Sequence, residues 1–214
     1  MTLAQIEEAA RNKYNSIGSS FYSSQEIYNL IYEAELNMCR EGLILENTVS
    51  TSTVIGQQTY DYPTDVIAFK RVTWNGIKLT PIDFRLDDQL TLNNSITDQT
   101  QDPQYYWTWN NQIYLRPIPS SVNTLTMYVY KQPSYITSGG TVEAPELFHM
   151  DIVNFVVSEM AFKDKQGDIA TAYYNRWIEG LRNVRKWSRE QKVTDAFNVV
   201  KDEESLSTNI LGPI

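Results

Sequence analysis

The period of the hydrophobic pattern changes twice along this chain, and that change limits the available folds more than any bulk figure. Up to about residue 47 apolar residues recur at helical spacing. From about Thr48 they alternate amid threonines, tyrosines and β-branched residues, and from about Pro145 helical spacing returns. In the first third, Thr2 stands as a cap ahead of Leu3, Ile6 and Ala10. Ser23, with Glu26 three residues on, makes a capping box ahead of an apolar stripe of Ile27, Leu30, Ile31, Ala34 and Met38. Gly42 is the expected stop of that second helix.

In the middle third, Asn75-Gly76 lies between two alternating runs. Both central residues of a type I′ turn need φ > 0, which these two residues tolerate, so a tight hairpin is predicted there. A second hairpin is predicted around Asn110-Asn111. LTMYVY at 125–130 reads as a strand with Leu125, Met127 and Val129 on one face. Pro103, Pro117, Pro119 and Pro133 fall at strand ends, where a missing N–H does no harm. The polar run 87–102 reads as a long loop, and 137–145 as a linker back to helices.

The last third holds a third helix from about Pro145 to Lys165, with Ile152, Phe155, Val156 and Met160 on its apolar side and Glu159 exposed. A fourth helix, capped by Asp168, carries Ile169, Tyr173, Trp177, Leu181 and Val184; the two form an antiparallel helical hairpin. After about Phe197 the helical signal fades into an acidic tail with an apolar tip of Ile210, Leu211, Pro213 and Ile214.

Charge narrows the function. A net charge of −8 argues against binding nucleic acid over the whole surface. It suits a wall past which a polyanion slides without sticking. Cys39 is the single cysteine, so no internal disulfide forms. The opening MTLAQIEEAARNKY lacks the apolar h-region of a signal peptide, and the apolar cluster at 152–162 is too short to span a bilayer. A soluble protein without a membrane partner is expected.

No arrangement of residues signals catalysis or a cofactor. His149 is the one histidine, far short of a metal cluster, and a structural role is expected for it. There is no G-x-S-x-G elbow, and Gly139-Gly140 lacks the lysine of a phosphate loop. Asp87-Asp88 and Glu33/Glu35 are carboxylate pairs, but neighbours one or two apart do not face one substrate.

Two features ask for a partner. In YYWTWNNQIYLRPIP at 105–119, Tyr105, Trp107 and Trp109 share one strand face. A stacking platform for nucleic acid would interleave cations, and Arg116 is the only one nearby. A carbohydrate-binding surface needs fewer charges and is the alternative; the plain alternative is the wall of a small sheet. On the fourth helix Arg182, Arg185, Lys186, Arg189 and Lys192 make a basic stripe, either a solvated face or an interface with an acidic partner or a neighbouring subunit.

The order of these segments resembles the head-to-tail adaptor (connector) proteins of tailed bacteriophages, particularly short-tailed ones. The resemblance spans about residues 20–190. Its most specific parts are Y-D-x-P at Tyr60–Pro63 and W-N-G at Trp74–Gly76. The ribbon Y-Y-x…I-x-L-x-P-x-P at Tyr105–Pro119 and the helical return around Glu146–His149 and Lys163–Asp168 follow. It implies an α+β fold: a helical core from 1–47 and 145–198, an inserted antiparallel β domain at 48–136, and an extended C-terminal tail at 199–214. It further implies a non-enzymatic virion protein, assembled in the host cytoplasm as a ring of about twelve copies. Such a ring seals the portal vertex and supports the tail tube or nozzle, and DNA passes through its lumen without sequence-specific contact. Portal protein, tail protein and neighbouring subunits are the implied partners. The latching role falls on Leu206, Ile210, Leu211, Pro213 and Ile214, and the interface cations are Arg182, Arg185, Lys186 and Arg189.

Overall fold

A helix that is apolar on nearly every side has to be surrounded, and one segment of this chain has that character. The helices are α1 (Leu3–Lys13), α2 (Ser24–Gly42), α3 (Phe84–Leu92), α4 (His149–Lys163) and α5 (Gly167–Ser207). In α4, Ile152, Val153, Phe155, Val156, Val157, Met160 and Ala161 are all buried, so its expected stripe is one part of an enclosed surface. α1, α2 and α5 pack around it. The computed structural model describes residues 1–16, 21–92 and 100–207, with 90–92 and 192–207 as backbone alone.

The chain divides into two compact units, Met1–Ile44 with Pro133–Ile214, and Leu45–Gln132. All described strands lie in the second, and the fold is α+β. The strands are β1 (Glu46–Ser52), β2 (Thr59–Asp61), β3 (Val66–Trp74), β4 (Ile77–Lys78), β5 (Thr80–Pro81), β6 (Thr100–Gln101), β7 (Tyr105–Trp109), β8 (Gln112–Arg116), β9 (Ile118–Pro119) and β10 (Thr124–Lys131). They form one sheet in the order β1-β10-β3-β4, a second in the order β2-β8-β7-β5, and the short parallel pair β6-β9. Between the two larger sheets sit Val72, Trp74, Leu79, Tyr106, Ile113, Leu115, Leu125, Met127 and Val129.

Local chemistry explains most boundaries. Thr2 and Gln5 close a reciprocal capping box at α1, and Leu3, Ile6 and Ala10 are buried. At α2 the Ser23 hydroxyl accepts from the Glu26 amide at 3.2 Å, but the Glu26 carboxylate turns to Lys163 Nζ at 2.6 Å, so only half of the expected box forms. Asn75 and Gly76 (φ 51° and 77°) and Asn110 and Asn111 (φ 49° and 57°) take the left-handed turn geometry that was expected. Where the chain enters and leaves the β unit, the Lys131 amide donates to the Leu45 carbonyl at 2.9 Å. The antiparallel β1–β10 pair thus brings the two crossing strands of the chain side by side.

Four expectations need correction. The polar run from 87 is not all loop: α3 covers Phe84–Leu92 and β6 lies at Thr100–Gln101. Its start is Asp83, whose carboxylate accepts from the Leu86 amide at 2.8 Å, a cap hidden in a polar stretch. Gly42 is the last residue of α2, not its left-handed stop. That conformation falls on Leu43 (φ 52°), and a Cβ on Gly42 would lie 2.4 Å from Val184 Cγ1. The buried line of α5 is Ala170, Trp177, Gly180, Val184 and Ser188, while Ile169 is exposed and Asp168 lies inside the first turn. Finally, α5 continues to Ser207 where the helical signal was expected to fade. No glycine or proline interrupts the chain between Phe197 and Ser207, so nothing local stops the helix.

Candidate functional site

The aromatic hairpin is closed by the helix that the sequence hid. Tyr106 points into the core, and on the opposite face of the β7–β8 ribbon Trp107 stacks on Tyr114, centroids 5.1 Å apart and 17° from parallel. Arg116 lies 5.7 Å from the Trp107 ring. α3 covers this second face: Phe84 meets Trp107 edge-on at 6.4 Å and Trp109 at 5.5 Å. Asp87 takes Arg116 in two bonds of 3.0 and 3.3 Å, with both side chains nearly buried. Trp107 is therefore interior, Tyr105 is half-buried and Trp109 is open, so the three residues do not present a shared stacking surface. The wall of a sheet is what forms.

The carboxylate pairs separate as well. Asp87 serves Arg116, while Asp88 is exposed. Glu35 is buried in α2 and accepts from the Ala144 amide at 2.7 Å, while Glu33 is exposed. His149 is buried with Nε2 2.9 Å from the Ala144 carbonyl and Nδ1 3.0 Å from the Met1 nitrogen. It pins α4 to the segment before it. Among the described residues no group of three or more metal-ligating side chains occurs, and no helix is long and apolar enough to cross a membrane.

A cavity of about 780 Å³ that sequence reasoning missed lies where α1, α4 and α5 meet, lined by Lys13, Tyr14, Tyr22, Asp164, Ile169 and Tyr173 among others. The Tyr14 hydroxyl donates to Asp164 Oδ2 at 2.6 Å and that of Tyr22 to the Met160 carbonyl at 2.8 Å. Burial, helped by Asp164, pushes the phenol of Tyr22 well above its ordinary pKa. Partial burial of the Lys13 ammonium, with Arg176 near it, lowers its pKa. These residues come from separate elements at no fixed spacing, so no motif could have announced them.

The basic stripe of α5 divides in two. Arg185 is held at home by Glu41, 2.6 Å away, and Lys186 sits 3.9 Å from Glu190 on its own helix. Arg182 and Arg189 are exposed. The side chains of Lys192 and Leu206, and all of Ile210, Leu211, Pro213 and Ile214, lie outside the described residues. At the head of α4, Trp187 meets Phe148 edge-on at 5.6 Å, and Phe148 closes the 3-10 turn Glu146–Phe148. After Ser188 the α5 backbone runs on for about 28 Å, at 1.5 Å per residue, beyond the start of the helix it packs on.

No curated protein matches this chain. A family model described as SU10 adaptor protein matches residues 1–200. With an α+β fold and that match over nearly its whole length, the chain belongs to the SU10 adaptor protein family, and is a phage structural protein of the head-to-tail adaptor kind.

Proposed function

We propose that this adaptor assembles as a ring of about twelve copies between the portal and the tail tube or nozzle, sealing the portal vertex and leaving a channel for DNA. The family connects it with portal and tail proteins of the virion. The domain arrangement that serves this role is a helical core carrying the β domain as an insertion. What supports the reading most is α5, which outruns α4 and holds Arg182 and Arg189 exposed on an otherwise acidic protein. A cationic helix face on a chain of charge −8 attracts an acidic surface of another copy of that chain, or of the portal.

The end of α5 and the stretch after it supply the grip. Leu206, Ile210, Leu211, Pro213 and Ile214 are apolar residues that gain their contacts in company, and a ring multiplies weak individual contacts. Arg185 and Lys186 contribute less, since each has an acidic neighbour already. An acidic lumen lets DNA pass without adhesion.

The test is attachment. Deleting residues 201–214 is expected to leave the unfolding midpoint unchanged and to abolish joining to portal-bearing heads, measured by sedimentation and by mass of the particles. Normal attachment of the shortened chain removes the C-terminal grip. A portal-bound mass equivalent to one or two copies overturns the ring.

A further inference from the structure

The sheet β1-β10-β3-β4 has two unlike edges. On one side β4 is two residues long, Lys70, Arg71 and Lys78 are exposed along β3 and β4, and the β10–β3 register shifts twice. Short strands, cations and irregular register are devices that keep a sheet edge from recruiting another strand. On the other side β1 runs for seven residues, Glu46–Ser52, with no proline, no lysine and no register shift. That edge carries none of those safeguards.

Its backbone polarity can be assigned. The Lys131 amide donates to the Leu45 carbonyl at 2.9 Å, and the Thr53 amide to the Asn123 carbonyl at 2.8 Å. Antiparallel pairing alternates, so odd-numbered residues of β1 bond β10 and even-numbered ones direct N–H and C=O outward. Thr48 agrees: its amide donates to the Asn47 side-chain oxygen at 2.8 Å. The outward groups of Ser50 and Ser52 have no strand beside them among the described residues. No charged residue occurs from Asn47 to Tyr60, and just past the strand Val54 and Ile55 are 53% and 59% exposed.

We propose that the open edge of β1 is a strand-addition site, filled by residues 208–214 of a second copy of this chain. The inference rests on the ring reading. Thr208–Ile214 reads TNILGPI: it is uncharged like the edge, and it offers an N–H at every position before Pro213. An alternating segment puts Thr208 and Ile210 on one face and Asn209 and Leu211 on the other, so one pair extends the cover of half-buried Val49. Pairing β1 with β1 of another copy would be isologous and close as a dimer. Pairing β1 with a different segment is heterologous, and propagates into a ring.

The experiment uses full-length chains carrying Ser50→Cys mixed with full-length chains carrying Asn209→Cys or Ile210→Cys, assembled on portal-bearing heads and mildly oxidised. Cys39 is buried and does not compete. A disulfide-linked dimer that needs both variants is expected. A dimer from the Ser50→Cys chain alone, or none at all, overturns the proposal. Ser50→Pro removes an outward N–H while sparing the bonds to β10, so the unfolding midpoint should hold and the mixed crosslink should fall at least tenfold. If Ser50→Pro fails to fold, Ser52→Lys is the substitute, and a crosslink undiminished in the folded variant counts against the site. Loss of attachment on deleting 208–214, with rings still formed and no crosslink to β1, would sink this inference and leave the ring standing. Absence of any ring would sink both.

Discussion

The two units solve the burial of polar groups in different ways. In the helical unit, buried polar side chains mostly meet backbone or lie within reach of solvent: Glu35 takes the Ala144 amide, His149 the Ala144 carbonyl, Ser158 the Phe155 carbonyl, and Asn154 the Lys13 ammonium. Two of these bonds, Glu35 to Ala144 and Lys13 to Asn154, join segments more than a hundred residues apart and tie the N-terminal helices to α4 and the segment before it. In the β unit the core between sheets is apolar, and buried charge is concentrated in one pair, Asp87 and Arg116, which holds α3 on the outer face of a sheet. The helical unit spreads its polar stitching over many bonds; the β unit holds α3 by one buried ion pair together with the ring contacts of Phe84. A single substitution should therefore hurt the second more.

Arg116→Ala tests that difference most severely. It leaves the Asp87 carboxylate buried without its guanidinium, and removing one partner of a buried pair costs about 3–5 kcal/mol. Chemical denaturation should show a loss of that order, and Trp107 emission should shift as α3 loosens. The double change Asp87→Leu with Arg116→Met should recover most of the stability. A loss under about 1 kcal/mol, typical of exposed ion pairs, would show that α3 does not depend on the bond.

Gly42→Ala asks how tightly the helical unit is packed where α2 meets α5. The new methyl would sit 2.4 Å from Val184 Cγ1, in a fully buried side chain, so overpacking should cost about 1–3 kcal/mol. Differential scanning calorimetry reads it directly. An unchanged Tm would mean that the two helices can part at little cost, and the contrast between units would narrow.

The smallest effect concerns charge on the helical unit's surface. Burial, and then the neighbouring Glu33, raise the pKa of Glu159 above its ordinary value. The folded state thus holds that proton more firmly than the unfolded chain. Ionisation of Glu159 lowers stability as pH rises from the unfolded pKa through the raised folded one. Glu159→Gln should accordingly raise stability at pH 7 by less than about 1 kcal/mol, solvent screening keeping it small. The gain should vanish in acid, where Glu159 is protonated in both states. Thermal unfolding of both proteins across pH 3–7 checks the sign, and a gain that grows toward acid would refute it.

How much of this was legible beforehand depends on the range of the interactions. Thr2, Ser23, Asn75-Gly76 and Asn110-Asn111 act within four residues of themselves, and each sits where its spacing said it would. α3 was missed because its apolar residues are few and its start is one aspartate in a polar run. What fastens it is Arg116, 29 residues downstream, a partner no local window contains. The same holds for the aromatic face: spacing put Tyr105, Trp107 and Trp109 together, and only the packing of α3 decided that Trp107 is interior. Of the basic stripe, spacing gave the row and tertiary contact gave Arg185 to Glu41.

By itself the sequence determined the period of each segment, the turns between them and the family to which the order of segments belongs, because steric and hydrogen-bonding rules at short range leave little choice there. The tertiary structure alone decided which apolar faces were covered, which charges were spent on neighbours and which strand edge stayed open. Those outcomes depend on groups far apart in the chain arriving within a few ångströms of one another, and that distance is written in no single stretch of residues.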